Sequence, residues 1–273
     1  MLKYNKSYIK NMSDKYTTYK NSLISGQTKI NTTGLFSYEI IKKTLSNVKY
    51  DEELLDLMWK NQKNILEGNK DNLLVVADTS GSMMSYNAIP FCNSIGLAIY
   101  IAERNEGFFK NHFITFSEKP VLQEIKGNTL VEKINNMKQI NAWNTDIDKV
   151  FKLLLKTAKE NNLAQHELPS KILIISDMEF DRGVHSQEGT NFKGWKESFA
   201  KEGYILPTII FWNASCNTRG LPITKFEDNV AMISGFSTNV LTNILKLENY
   251  TPIHAMLEQL STYVKMLNAN YNC

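Results

Sequence analysis

Cysteine is scarce. Cys92, Cys216 and Cys273 are widely separated and odd in number, so they do not form a disulfide framework. No CxxC pair occurs and the four histidines are scattered, which excludes a structural zinc site of ordinary spacing. Both features suit a reducing compartment, and the expected location is cytoplasmic. Charge of one sign is also lacking. The net charge of +3 excludes nucleic-acid binding driven by the field of the whole molecule. No apolar run approaches membrane-spanning length, and the lysine-rich beginning has no apolar signal-peptide core, so no membrane association is expected. The hydrolase and nucleotide signatures GxSxG, GxxxxGK[ST] and HExxH are absent as well.

What remains is a chain of 273 residues with 42% hydrophobic content, enough for one large α/β core and an accessory segment. Charge is unevenly placed. Residues 1–33 hold six lysines (Lys3, Lys6, Lys10, Lys15, Lys20, Lys29) and one acid, Asp14, giving +5 and leaving −2 for the rest. Residues 1–36 therefore read as a basic, flexible arm with little regular structure, which could touch RNA phosphates. Residues 37–70 read as a helical pair. Ser37 is a plausible N-cap, Ile40, Ile41, Thr44 and Leu45 share one face, and Leu54, Leu57, Met58, Asn61 and Ile65 repeat at helical spacing until Gly68.

From residue 71 onward strands alternate with helices. Leu73–Ala77 and Lys171–Ser176 are continuous apolar runs, as in strands buried on both faces, and each ends in an aspartate. Strands are also expected over 109–116, 121–125, 206–212 and 230–234, and the short Ser117–Pro120 link makes one of the first two an antiparallel edge. Helices are expected after Asn87, over 129–138, from Asp146, over 190–202, and at 238–247 and 252–267. The fold class is α/β: a doubly wound, mostly parallel sheet with one antiparallel edge strand, preceded by a short helical segment.

In such a sheet the ligand crevice lies at the carboxyl ends of the strands. Asp78 opens Asp78-Thr79-Ser80-Gly81-Ser82, where alternate positions supply one carboxylate and two hydroxyls, and Gly81 is expected to let the loop fold tightly. All are hard oxygen donors of the kind Mg²⁺ or Mn²⁺ takes. Asp78-x-Ser80-x-Ser82 resembles the first motif of the metal-ion-dependent adhesion site of von Willebrand factor A domains. That resemblance implies a threonine from a second loop, matched by Thr145 in Trp143-Asn144-Thr145-Asp146, and an aspartate from a third, matched by Asp177. The motifs follow family order across residues 72–247 and imply a von Willebrand A-like domain over 71–273. The implied ligand set is Asp78, Ser80, Ser82, Thr145 and Asp177 around Mg²⁺, with Mn²⁺ or Ca²⁺ as substitutes.

A narrower resemblance rests on Ser176-Asp177-Met178-Glu179-Phe180-Asp181, Gly34–Ile40 and Gly235-Phe236-Ser237. These are similar to an uncharacterised family of intracellular von Willebrand A proteins of plants, fungi and large viruses, related to the Ro (TROVE) type. This chain lacks the length for the RNA-binding helical ring of that type, so RNA binding does not carry over. The resemblance implies a non-enzymatic module binding a protein partner whose carboxylate reaches the metal. Met83-Met84 itself reads as loop packing rather than a recognition patch, and apolar area for that partner is expected from the loops near Met83, Trp143 and Phe180. Two alternatives stay open: a metal-dependent phosphodiesterase or nuclease using Asp78, Asp177, Glu179 and Asp181, and an RNA-associated Ro-like scaffold. Glu179 and Asp181 either support the metal ligands or lie on the surface, and His185 reads as a solvated loop residue. Trp59, Trp143, Trp195 and Trp212 read as core or interface filling.

Overall fold

The computed structural model describes residues 2–32, 34–46, 50–69, 71–138, 146–178, 190–215, 229–235, 245 and 260–261. In chain order the elements are α1 (Leu2–Ile24), α2 (Ser37–Leu45), α3 (Glu52–Lys60), β1 (Leu73–Ala77), a 3₁₀ turn (Gly81–Met84), α4 (Ser85–Arg104), β2 (His112–Thr115) and β3 (Leu122–Glu124). They continue with α5 (Leu130–Lys138), α6 (Ile147–Glu160), a 3₁₀ turn (Gln165–Glu167), β4 (Lys171–Ser176), α7 (Thr190–Lys201), β5 (Thr208–Asn213) and β6 (Val230–Ser234).

The strands form one sheet in the order β3-β2-β1-β4-β5-β6, parallel except for β3, which pairs antiparallel to β2 at the edge. The central strand β1 is buried at every position because both faces of the sheet are covered. Its residues alternate between two cores, as the two-residue period of a strand requires. Leu73, Val75 and Ala77 pack with α4, whereas Leu74 and Val76 pack with Val150, Phe151 and Leu154 of α6 and Phe199 of α7. The apolar face expected for α6, Ile147, Val150, Phe151, Leu154 and Ala158, is buried throughout, and Asp146 caps the helix by accepting from Lys149 N at 3.1 Å.

Helix α4 is buried nearly all round, beyond the stripe Ala88, Cys92, Ile95, Ile99 and Ala102 that its sequence predicts. The reason is that α2 and α3 cover its other side. A Cβ on Gly96 would lie 3.3 Å from Ile41 and 3.4 Å from Ser37, so the absent side chain lets α2 approach closely. Trp59 of α3 donates to Glu103 Oε2 at 2.8 Å, and Lys133 of α5 pairs with the other oxygen at 2.6 Å. The Tyr100 hydroxyl donates to the Lys63 carbonyl and accepts from Ile65 N.

Several local expectations are corrected. Residues 2–24 form a helix rather than an arm without regular structure. Its carboxyl-terminal end is anchored by buried Leu23, by Lys20 paired with Asp51 and Glu53, and by the Tyr16 hydroxyl on Asp51. Ser37 is the first helical residue, not the cap. It is buried and donates to Gln62 Oε1 at 3.2 Å, while Glu39 closes the helix start by accepting from Phe36 N at 2.8 Å. Helix α3 ends at Lys60, well before Gly68, and its buried side chains are Leu55 and Trp59 rather than Leu54, Leu57 and Met58. The helices expected at 238–247 and 252–267 fall outside the described residues apart from 245, 260 and 261. Among the described residues no helix is long and apolar enough to cross a membrane.

Asp51 ties α1 to α3. It caps α3 by accepting from Leu54 N at 3.0 Å and pairs with Lys20 at 2.7 Å, and chiefly that pairing holds its carboxyl down at about 2. A depressed carboxylate contributes stability above its ordinary range and loses it as pH falls through the folded value. The α1–α3 attachment should therefore be constant from neutrality down to about pH 4 and fail towards pH 2. Asp51→Ala should remove it at neutral pH, costing about 1 kcal/mol for the cap and less for the partly exposed pair. Faster tryptic cleavage at Lys20 in the variant, with the core melting transition lowered by only about 2–4 °C, is the expected reading.

Candidate metal centre

The chain leaves β1 towards β2 and β3, then crosses to the other side of β1 to form β4. The loops after β1 and β4 consequently diverge, and the crevice between them is the switch point where open α/β sheets bind ligands. Asp78 follows β1 and Asp177 follows β4. The two strands are in parallel register with Ala77 opposite Ile175, and Asp78 N donates to the Ile175 carbonyl at 3.0 Å. Neighbouring strand ends thus bring the two aspartates to the same end of the sheet. Both are buried, at 1% and 4% exposure.

Each oxygen of Asp78 is held. Oδ1 accepts from Ser80 N at 2.9 Å, which folds the loop back on the strand end, and Oδ2 accepts from Ser176 Oγ at 2.7 Å. Burial pushes the Asp78 carboxyl above the usual carboxylate range and the charge of Asp177 adds to that, while the hydrogen bonds from Ser176 and Ser80 oppose it. The hydroxyls of Ser80 and Ser82 lie 3.0 Å apart, with Ser82 exposed on the 3₁₀ turn. The structure thus gathers Asp78, Ser80 and Ser82 in one loop and sets the Ser176-Asp177 strand end beside them. Thr145, the fifth expected ligand, lies outside the described residues, as do Trp143, Glu179, Phe180, Asp181 and His185. Among the described residues no group of three or more His, Cys, Asp or Glu side chains comes together as a metal cluster.

The backbone around the crevice differs from expectation. Gly81 does not have a positive φ, and a Cβ there would meet nothing within 4 Å, so its expected role in tightening the loop is not needed. The left-handed positions are instead Tyr86, Asn87 and Ala88, at φ 51°, 57° and 57°, and Met178, at φ 64°. The regular part of α4 starts only after Ala88, which puts Pro90 in its first turn. A left-handed conformation is costly for side chains larger than glycine, of order 1 kcal/mol each, and these positions flank both aspartate loops. Met83 is fully buried and cannot contact a partner, whereas Met84 and Tyr86 are half exposed beside Ser82.

Ser176 was not among the residues expected at the site. Its hydroxyl donates to Asp78 and accepts from Met178 N at 3.2 Å, so one buried side chain links the β1 and β4 loops. The available signal was a lone hydroxyl ending the run Ile172-Leu173-Ile174-Ile175. Ser176→Ala should leave Asp78 short of one donor and cost about 1–3 kcal/mol of stability. It should raise the Asp78 pKa further, which carboxylate infrared titration of the variant would register.

The family model described as "Domain of unknown function (DUF7788)" matches residues 72–265. The uncharacterized protein L728 of Acanthamoeba polyphaga mimivirus is 32% identical over 259 residues, covering 93% of this chain and 44% of that protein. The chain therefore spans less than half the length of this curated relative. Among solved structures, the RO (RSR) protein of Deinococcus radiodurans aligns at TM-score 0.49 and 16% identity, over 71% of this chain and 37% of that one. Proximal thread matrix protein 1 of the mussel byssus aligns at TM-score 0.41 and 16% identity, over 65% and 46%.

Proposed function

The chain belongs to the DUF7788 family of domains of unknown function, and on that premise we propose that it is a protein-binding module acting through a divalent-metal site of von Willebrand A type. The supporting observation is the pair of buried aspartates at the ends of β1 and β4, beneath the paired hydroxyls of Ser80 and Ser82. Burial, with the charge of Asp177 added to it, disfavours ionisation of Asp78, and a cation in the crevice would remove that penalty. The donor set fits Mg²⁺, with Mn²⁺ or Ca²⁺ able to substitute. Asp78, Ser80, Ser82 and Asp177 would hold the ion, joined by Thr145 from the resemblance. When bound, the ion supplies a positive charge at the crevice mouth.

The chain's own residues do the rest. Asp78 and Asp177 balance a divalent charge, so the site as a whole is near neutral and can accept one further anionic oxygen. A Glu or Asp of a partner protein is the proposed donor. Met84 and Tyr86 flank that position with exposed apolar surface, in the role expected of Met83. A reducing, cytoplasmic setting and a non-enzymatic role belong to the same proposal. The hydroxyl-rich donor set argues against two-metal phosphodiester cleavage, which relies on carboxylates, and no general base is tied to the crevice by motif.

The test has two arms. Affinity capture from host extract should retain a set of partners in Mg²⁺ that is lost in EDTA and with Asp177→Ala or Thr145→Ala. The purified protein should show no Mg²⁺- or Mn²⁺-dependent cleavage of RNA or DNA. Partners kept in EDTA would make any bound metal structural, and cleavage lost in both Asp78→Ala and Asp177→Ala would replace this reading with a nuclease.

A further inference from the structure

Helix α1 has 23 residues, and its anchoring contacts among the described residues, Leu23, Lys20 and the Tyr16 hydroxyl, lie in its carboxyl-terminal half. Every residue from 12 to 19 is exposed, including Met12 at 51%, Tyr16 at 43% and Tyr19 at 47%. The first turn carries no acid and the last no base, and Thr17, Thr18, Asn11 and Ser13 are weak helix formers, so the segment has little to stabilise it alone. Helices in proteins draw most of their stability from packing of one face against a neighbour, which residues 12–19 lack over most of their surface. The large side chains are nevertheless ordered. Met12, Tyr16, Tyr19 and Leu23 follow one another at alternating steps of four and three, the spacing of a coiled-coil seam. In sequence Leu2, Ile9, Tyr16 and Leu23 stand seven apart, extending the same register.

We propose that α1 is a docking helix, and that its exposed heptad seam pairs with an acidic amphipathic helix of another protein. Seam width decides between a helix and a lipid surface. Two positions in seven make a narrow stripe that fits one partner helix, whereas a helix lying in a bilayer interface needs a broad apolar face. Charge decides between a partner and a second copy. Residues 2–24 carry five lysines and one aspartate, a balance of +4, so self-pairing would set lysine against lysine in either orientation. The molecule already shows the complementary chemistry. Lys20, flanking the seam, takes the carboxylates of both Asp51 and Glu53 at 2.7 and 2.8 Å where Leu23 packs down. The proposed partner continues that contact outward along Tyr19, Tyr16 and Met12, with Glu or Asp facing Lys15.

The test uses the full chain and a fluorescent designed peptide of heptads with Leu at the seam and Glu at the flanking positions. A matched peptide with Lys at the flanks is the control. The Glu peptide should bind, with affinity falling as salt rises. The double substitution Met12→Glu, Tyr19→Glu should weaken it by about tenfold or more. Lys15→Glu should weaken the Glu peptide and strengthen the Lys peptide, with the core melting transition unchanged in both variants. EDTA should have no effect, which separates this result from the fate of the metal-site reading. Failure of the Glu peptide to bind, or equal binding of the two peptides, overturns the proposal. So does tighter binding to phosphatidylserine vesicles or to single-stranded RNA, or self-association of the chain through α1 in sedimentation equilibrium.

Discussion

Asp78→Asn is expected to abolish Mg²⁺ binding while leaving the protein folded and, without metal, no less stable than wild type at neutral pH. The amide keeps both contacts of the carboxylate. One side still accepts from Ser80 N, and the Ser176 hydroxyl can turn to accept from the new NH₂. What is lost is a buried charge beside Asp177. Because burial raises the folded pKa of Asp78, its contribution to stability is complete below the ordinary carboxylate pKa of about 3.9 and is lost as pH rises through the folded value. Metal-free wild type should therefore show a decline in melting temperature with rising pH that the Asn variant lacks. Mg²⁺ at about 100 times its dissociation constant should restore about 2.7 kcal/mol to wild type and nothing to the variant. An equal thermal response of both proteins to Mg²⁺ would remove Asp78 from the site.

The second large effect is expected from cutting the chain where its family match begins. A fragment starting at residue 72 keeps every strand of the sheet but should not yield a folded, soluble monomer. Ile40, Ile41, Leu55, Trp59 and Leu66 are all buried in the core that contains α4. Burying each is worth about 1.5–3 kcal/mol, so together they contribute on the order of 10 kcal/mol, comparable to the whole stability of a typical domain. The cut would also leave Glu103 without Trp59 and the Tyr100 hydroxyl without its two backbone partners, and would uncover the Gly96 face of α4. Removing only residues 1–30 should be tolerated, since among the described residues of α1 Leu23 alone is buried. A cooperative melt of the 72–273 fragment close to that of the full chain would show that α2 and α3 are an accessory rather than part of the core.

Periodicity carried much of the fold into view. The short apolar runs at 73–77 and 171–176 suit strands with apolar neighbours on both faces, and the 3.6-residue spacing from Ile147 to Ala158 locates α6 and its buried side. It failed where a helix has two buried sides or almost none. Helix α4 is covered by the sheet and by α2, so its buried surface exceeds a single stripe, and α1 is so polar that its 3–4 spacing does not stand out from its composition.

At the crevice the division is sharper. Residue types along the chain were enough to nominate Asp78, Ser80, Ser82 and Asp177, because a carboxylate ending a buried strand and hydroxyls at alternate loop positions are chemical statements that sequence order contains. Sequence order does not contain which strand ends are neighbours. Parallel pairing of β1 with β4 across 98 residues is what joins Ser176 to Asp78 and sets Asp177 close enough to oppose its ionisation. Nor does it contain which of two adjacent methionines is buried. The left-handed turn at Tyr86–Ala88 follows a loop in which Met83 faces inward and Met84 outward, and that sorting arises only when α4 docks against the sheet. Local chemistry follows from the order of side chains, whereas burial and proximity are properties of packing between segments far apart in the chain.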